Sequence, residues 1–174
     1  EEVIRVDGGS QDRTVEVARA VRPTIRVVLE LRKGKGVALR TGFAAATREA
    51  IVMLDADGSM DPAEIEDFVR ALDGGYDLVK GSRSCQGGGS TDLTPTRQIG
   101  NMALRGMVNF LYSADFTELC YGYMALRRSS VPAMGLNSDG FEIETEIAVN
   151  SLRRGLRITE ITSKEAERLN GVSH

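Results

Sequence analysis

Short apolar segments alternate with helix-like segments through the first half of this 174-residue chain, and that alternation constrains the fold more than any other feature. The expected strands cover residues 3–6, 25–29, 51–54 and 76–79, and the expected helices cover residues 11–21, 37–48 and 61–72. Asp61 followed by Pro62 is typical of a helix start. Strands and helices in this order predict an α/β fold in which a mostly parallel sheet is flanked by helices.

The second half of the chain has a different character, because it opens with a glycine-rich polar stretch at residues 84–96 that we expect to be a loop. After it we expect helices at residues 97–111 and 142–153 and strands at residues 120–126 and 156–161. The apolar side chains of the first of these helices are interpreted as core packing. The length suits a single domain over residues 1–174.

The scarcest residues exclude several kinds of chemistry. The only histidine is His174, the last residue, so a catalytic unit built on histidine is not expected. Cys85 and Cys120 match no zinc-ligand spacing and are interpreted as reduced thiols with a minor structural role. The net charge of −3 argues against a protein that coats nucleic acid, and no apolar run is long enough to span a membrane.

Polar residues follow the expected strands at the edge where an open α/β sheet binds its ligands. Asp7 ends the first strand, and Asp55 directly follows the third. The second strand leads into Lys33-Gly34-Lys35-Gly36, and the fourth leads to Arg83. We therefore expect carboxylates, cations and glycines to converge on one rim of the sheet.

Asp55-Ala56-Asp57 is the sharpest single motif on this rim. In an extended segment residues i and i+2 face the same way, so the two carboxylates repel each other unless a cation lies beside them. Magnesium and manganese ions bind one or two carboxylates together with phosphate oxygens. Taken alone, the motif is explained better by a solvated turn at Gly58. Its position beside Asp7 and Arg83 favours a metal-bound diphosphate.

The glycine-rich segments allow two interpretations. Lys33-Gly34-Lys35-Gly36 could cradle a phosphate through backbone amides at a helix N-terminus, or it could be a flexible charged turn. It does not have the spacing of a P-loop, and Asp7-Gly8-Gly9-Ser10 does not have the GxGxxG spacing of a dinucleotide site. A dinucleotide-dependent oxidoreductase is therefore poorly supported.

Taken together, the chain resembles the family-2 glycosyltransferases over nearly its whole length. The segments that carry the resemblance are VDGGSQDRT (residues 6–14), GKGVALRTGF (34–43), IVMLDADG (51–58), DLVKGSR (77–83), RQIGN (97–101) and SDGFEIETE (138–146). The branch they resemble most contains dolichol-phosphate mannose synthase and the bacterial polyprenyl-phosphate glycosyltransferases. The resemblance implies a nucleotide-sugar-binding GT-A-like fold whose first strand would precede Glu1.

The resemblance also implies a role for each matching position. The nucleotide-sugar donor would bind at Asp7, Gly9, Lys35, Gly36 and Asp55, and the reacting groups would be served by Asp57, Asp139, Arg83 and Arg97. Asp55 and Asp57 would hold Mg²⁺ or Mn²⁺ on the donor diphosphate. Asp139 would contact the sugar or act as a base. The two arginines would grip an acceptor phosphate, because the planar guanidinium group binds phosphate through two hydrogen bonds.

We therefore expect an inverting, metal-dependent transfer of a hexose from a nucleoside-diphosphate sugar to a polyprenyl phosphate. A phosphate monoester has a second pKa of about 6 and is already anionic at neutral pH. A sugar hydroxyl, by contrast, needs a positioned base. A lipid acceptor implies a cytoplasmic enzyme at the inner face of the membrane.

Three alternatives stay open from the sequence. The first is transfer to a soluble acceptor such as a glycerate. The second is a phosphatase of the haloacid-dehalogenase type, with Asp55 as nucleophile and Asp57 as its acid–base partner. The third is a non-catalytic module that binds nucleotide sugars, which is favoured by Gly8 at a position where the family usually has a second aspartate.

Overall fold

The structure, a computed structural model, describes residues 1–91 and 94–167. His174 lies outside the described residues. The strands are β1 (Ile4–Asp7), β2 (Arg26–Leu29), β3 (Ala50–Met53), β4 (Leu78–Ser82), β5 (Gly89–Ser90), β6 (Met124–Arg127), β7 (Ile158–Thr162) and β8 (Lys164–Glu165). The α-helices are α1 (Thr14–Val21), α2 (Lys35–Ala45), α3 (Ile65–Asp73), α4 (Pro95–Tyr112), α5 (Val131–Met134) and α6 (Ile143–Arg153). Short 3₁₀ turns at Pro62–Glu64 and Arg128–Ser130 lead into α3 and α5.

The central sheet has four strands in the order β3-β6-β4-β7. Strand β6 pairs antiparallel with both β3 and β4, so β3 and β4 run parallel to each other with β6 between them. Strand β7 pairs parallel with β4, and β1 pairs parallel with β2 in a separate two-stranded sheet. The alternation of strands and helices is therefore confirmed, and the α/β class with it.

Several details depart from the expectation. Strand β6 begins at Met124 rather than at residue 120, and β4 is shifted towards Ser82. The expected loop at residues 84–96 contains the short strand β5, which pairs with β8. These strands consist of glycine and polar residues, so no hydrophobic period marks them. The helix start at Asp61 is confirmed, because the Asp61 side chain accepts a hydrogen bond from the Ala63 amide at 2.9 Å.

Helices cover both faces of the central sheet, because alternate residues of each strand point to opposite faces. Leu78 and Leu126 face a cluster that includes Phe43 of α2 and Ile147 of α6. On the other face, Val79 and Ala125 pack with side chains of α3. The members of the second cluster from α3 are Phe68 and Leu72, both completely or almost completely buried. The fold is thus a three-layer arrangement.

Helix α4 does not pack as the sequence analysis expected. Val108 is buried against Phe116, but Ile99 is 68% exposed and Phe110 is 86% exposed. We call the exposed apolar side chains of this helix the α4 face, which consists of Ile99, Met102, Met107, Phe110 and Leu111. Helical spacing cannot distinguish an apolar stripe that meets the core from one that meets another surface. In residues 1–91 and 94–167 no helix is both long enough and apolar enough to cross a membrane.

Candidate functional site

Asp7, the first of the predicted site residues along the chain, is the last residue of β1. Its Oδ2 accepts hydrogen bonds from the amides of Gly9 at 3.0 Å and Ser10 at 2.9 Å, and its Oδ1 accepts one from the Ser10 hydroxyl at 2.6 Å. Gly9 has a φ of 85°, which a glycine adopts without strain. The Ser10 hydroxyl and amide hold the pKa of Asp7 below its usual value. A fixed carboxylate therefore lies at the end of the first strand, as the sequence predicted.

The aspartate pair lies after β3, on the segment that connects the sheet to α3. Oδ1 of Asp57 accepts hydrogen bonds from the Ser59 amide at 3.0 Å and the Ser59 hydroxyl at 2.7 Å. Gly58 has a φ of 79°, so the chain turns sharply between these two residues. Ser59 is buried and holds the Asp57 carboxylate in one orientation.

Lys35 joins the aspartate pair to helix α6. Its Nζ lies 2.8 Å from Oδ1 of Asp55 and 2.6 Å from Oε1 of Glu144. Burial opposes the charge on Lys35, but the carboxylates of Glu144 and Asp55 outweigh it and raise the pKa of the ammonium group. Lys35 and Asp55, both predicted as donor-site residues, are thus brought together.

Glu144 is a site residue that the sequence analysis did not single out. It is 6% exposed and lies in the first turn of α6. Its helix position falls on the same face as the buried residues Ile147, Ala148 and Ser151. A carboxylate inside an otherwise buried stripe was the signal that could have identified it, since buried charges are rare unless they are paired.

The glycine-rich loop packs against the segment that carries Asp139. The amide of Gly36 donates to the carbonyl oxygen of Asp139 at 2.8 Å, and a Cβ atom at Gly34 or Gly36 would overlap this backbone. This amide already has a protein acceptor, so the predicted phosphate cradle at Gly36 would require this hydrogen bond to break. The glycines serve to bring the 138–139 segment close to Lys35.

Asp139 itself is exposed and is held by helix α2. Its Oδ1 accepts a hydrogen bond from Nη2 of Arg40 at 2.6 Å, and the side chain is 70% exposed. Nη1 of Arg40 also donates to the carbonyl oxygen of Ser138. Asp139 is thus accessible from solvent, next to the loop that carries Lys35.

Arg83 lies inside the protein, at the end of β4. Its Nε donates to Glu118 at 3.0 Å, its Nη1 donates to Glu165 at 2.9 Å and its Nη2 donates to the carbonyl oxygen of Cys120 at 3.1 Å. The guanidinium carbon also lies 4.6 Å from the centroid of the Tyr121 ring. Three protein acceptors therefore engage the side chain, which is only 3% exposed, so contact with an acceptor phosphate would require its two remaining N–H groups to become accessible.

Arg97 lies in the first turn of α4 and is exposed. One turn further along, Asn101 is buried, and its Oδ1 accepts hydrogen bonds from the amides of Leu119 at 3.1 Å and Cys120 at 3.3 Å. Asn101 thereby fastens the helix of Arg97 to the segment that also contacts Arg83. The sequence analysis quoted Asn101 within a motif but assigned it no role.

The carboxylates of Asp55 and Asp57 suit a hard divalent cation. Magnesium and manganese prefer oxygen ligands and commonly take only one or two carboxylates, with phosphate oxygens completing the shell. Within residues 1–91 and 94–167 no cluster of three or more ligating side chains is present. Two carboxylates would leave the remaining positions of such a metal to other oxygen ligands, for example those of a diphosphate.

A family model and several named proteins match this chain in sequence. The family model described as glycosyl transferase family 2 matches residues 1–134. Glycosyltransferase AglJ of Haloferax volcanii is 34% identical over 172 residues, which is 97% of this chain and 55% of that protein. The polyprenol monophosphomannose synthase of Mycolicibacterium smegmatis is 29% identical, over 98% of this chain and 69% of its own length.

Solved structures share the fold. Glucosyl-3-phosphoglycerate synthase of Mycobacterium tuberculosis in complex with phosphoglyceric acid superposes with a TM-score of 0.75, at 23% identity, over 98% of this chain and 62% of that chain. The same enzyme in complex with Mn²⁺, UDP and glucosyl-3-phosphoglycerate gives a TM-score of 0.73 at 24% identity, over 98% of this chain and 62% of that chain. This chain thus spans a little over half of AglJ and about three fifths of these structures.

Proposed function

We propose a reaction for this chain on the premise that it belongs to glycosyl transferase family 2. The chain is a glycosyltransferase, and the phosphatase interpretation of Asp55 and Asp57 is set aside on that ground. We propose that it transfers a hexose from a nucleoside-diphosphate sugar to a polyprenyl phosphate, with inversion at the anomeric carbon and with Mg²⁺ or Mn²⁺ on the donor.

The observation that supports a lipid acceptor is the exposure of the α4 face. A polyprenyl phosphate has an anionic head and a long apolar chain, and α4 presents Arg97 in its first turn followed by exposed apolar side chains. The sequence of α4 contains no aspartate or glutamate along its 18 residues. An acid-free helix with an exposed apolar face is suited to the surface of an anionic membrane. A soluble acceptor would give no reason for this exposure.

The donor would lie along the rim formed by Asp7, Lys35 and the aspartate pair. Asp7 would bind the base or ribose, because the Ser10 turn fixes its carboxylate in the charged form. Asp55 and Asp57 would hold the divalent cation, which when bound neutralises the charge of the leaving diphosphate. Gly9 would let the donor approach the backbone closely, and Asp139 would contact the sugar.

In the reaction itself an oxygen of the acceptor phosphate forms a bond to the anomeric carbon. The bond between that carbon and the donor diphosphate breaks, and its electron pair leaves with the nucleoside diphosphate. The acceptor is already anionic at neutral pH, so no side chain has to remove a proton from it. Arg97 would position the acceptor phosphate. Arg83 would join it through the two N–H groups that do not donate to Glu118, Glu165 or Cys120.

A second candidate is transfer to a soluble phosphorylated acceptor. The observation that favours it is the superposition on glucosyl-3-phosphoglycerate synthase, an enzyme whose structure contains phosphoglyceric acid. That similarity, at 23% identity, shows the fold, and an assay with both acceptors distinguishes the two candidates.

The first experiment is calorimetric titration of the chain with UDP-sugars and GDP-sugars, with and without Mn²⁺, beside an Asp57→Ala variant. We expect binding that requires the metal, discriminates between the bases and is lost in the variant. Incubation with the preferred donor and either a polyprenyl phosphate or 3-phosphoglycerate then identifies the acceptor. Formation of glycolipid supports the proposal. Glycosyl transfer to phosphoglycerate alone would replace it with the second candidate.

A further inference from the structure

The ammonium group of Lys35 contacts both carboxylate oxygens of Asp55, which are the oxygens that would bind a metal cation. We propose that Lys35 is a built-in counter-ion, which a divalent metal must displace from Asp55, and that Glu144 retains the displaced ammonium group. The inference rests on the proposed metal site at Asp55 and Asp57. It adds a positioning residue, Glu144, and a competition between two cations for one carboxylate.

The contacts of Lys35 show which oxygens the ammonium group and the metal would compete for. Its Nζ lies 2.8 Å from Oδ1 and 2.9 Å from Oδ2 of Asp55, so the ammonium group engages both oxygens of that carboxylate. The third contact is to Oε1 of Glu144 at 2.6 Å. Because a metal on Asp55 would carry two positive charges towards the same oxygens, the ammonium group and the metal repel each other at this position.

The surroundings of Lys35 are built to hold an ammonium group. A Cβ atom at Gly122 would lie 2.7 Å from Nζ of Lys35 and 2.9 Å from Oε1 of Glu144, so a larger residue there would displace this pair. The ring centroid of Phe141 lies 5.7 Å from the same nitrogen. An ammonium group enclosed in this way is a fixed part of the site and not a solvated surface charge.

The two carboxylates differ in their access to solvent, and this sets the direction of the exchange. The side chain of Asp55 is 38% exposed, whereas that of Glu144 is 8% exposed. A metal arriving with its diphosphate reaches Asp55 from the solvent side. Glu144, on the inner side, keeps hold of Lys35 and thereby lowers the free energy required to release Asp55.

The test is direct Mn²⁺ binding to the full chain, measured without nucleotide and again with UDP from the free-ion signal in electron paramagnetic resonance. Lys35→Met removes the competing cation and leaves Asp55, Asp57 and Glu144 for the metal, so we expect binding about tenfold tighter than in the wild type. Lys33→Met is the matched control, because it removes an exposed lysine from the same loop. We expect the control to stay within about twofold of the wild type.

The second variant, Glu144→Gln, removes the negative charge that retains Lys35, so Asp55 would be the only carboxylate in contact with the ammonium group. Here we expect Mn²⁺ binding to weaken by about fivefold, while Glu142→Gln, an exposed carboxylate two residues earlier, changes it by less than about twofold. This variant decides the matter if Lys35→Met does not fold.

Unchanged or weaker Mn²⁺ binding in folded Lys35→Met would overturn the inference, and so would unchanged binding in Glu144→Gln. Asp57→Asn serves as the reference variant. If it weakens Mn²⁺ binding while Lys35→Met leaves it unchanged, only the counter-ion role is wrong. If no binding depends on Asp57, even with UDP present, the proposed metal site fails and the inference fails with it.

Discussion

At the scale of single residues, this site is organised by pairs of opposite charge with little free space. Lys35 is shared by Asp55 and Glu144, and Arg83 is shared by Glu118 and Glu165. Burial of either cation without its carboxylates would raise the free energy of the folded protein. Such contacts hold side chains in fixed positions, as the proposed reaction between two anionic substrates would require.

Gly122 gives a residue-scale prediction. We expect Gly122→Ala to lower the free energy of unfolding by about 1–3 kcal/mol and to weaken donor binding, since its Cβ would lie 2.7 Å from Nζ of Lys35. Gly106→Ala in α4 is the matched control, because nothing lies within 4 Å of its added Cβ. The control should stabilise the protein by about 0.5–1 kcal/mol. Urea denaturation and calorimetry measure both, and equal effects in the two variants would contradict the close packing at Gly122.

At the scale of elements, α4 carries both parts of the proposed acceptor site, which are the phosphate-binding part and the lipid-binding part. Its first turn carries Arg97, and its buried side is fixed by Asn101 to the amides of residues 119 and 120. The remaining surface is the α4 face. One helix can thus carry the arginine proposed to bind phosphate and still present an apolar surface outwards.

The α4 face gives an element-scale prediction. We expect the double variant Met107→Ser and Phe110→Ser to reduce binding to vesicles of anionic phospholipid by about tenfold, because two exposed apolar side chains are lost. Stability should change by less than about 1 kcal/mol, as is usual for exposed positions. Val21→Ser, an exposed apolar position on α1, is the control. Vesicle sedimentation measures binding, and unchanged binding in the double variant would argue against a membrane role for this helix.

At the scale of the whole molecule, β6 holds the central sheet together. It pairs with β3 on one side and β4 on the other, and it contributes side chains to the clusters on both faces of the sheet. The rim residues after β3 and β4 therefore depend on β6 for their spacing, although β6 carries none of the predicted site residues.

Leu126 of β6 gives a prediction at this scale. It is completely buried, so we expect Leu126→Ala to lower the free energy of unfolding by about 3 kcal/mol and Tm by roughly 6–12 °C. Leu29→Ala, at an exposed position of β2, should change stability by less than about 0.5 kcal/mol. Urea denaturation and thermal unfolding measure the two variants. A similar loss in both would show that the clusters on β6 are not the main core.

The sequence by itself determined the local structure of this protein, that is, where most strands and helices lie along the chain. Apolar segments of strand length and helical spacing located most elements of the first half to within a few residues, because these patterns record which side chains are buried. Asp7 and Asp55 were placed after their strands for the same reason. The order of the six motifs was enough to identify the family.

The tertiary structure decided which distant groups meet. The position of β6 between β3 and β4, the contact of Lys35 with Glu144 and the enclosure of Arg83 all join residues far apart in the chain. The exposure of the α4 face belongs here too, since an apolar stripe has the same spacing whether or not another element covers it. Local periodicity reports that a face is apolar or charged. Only the packing of elements against one another specifies its partner.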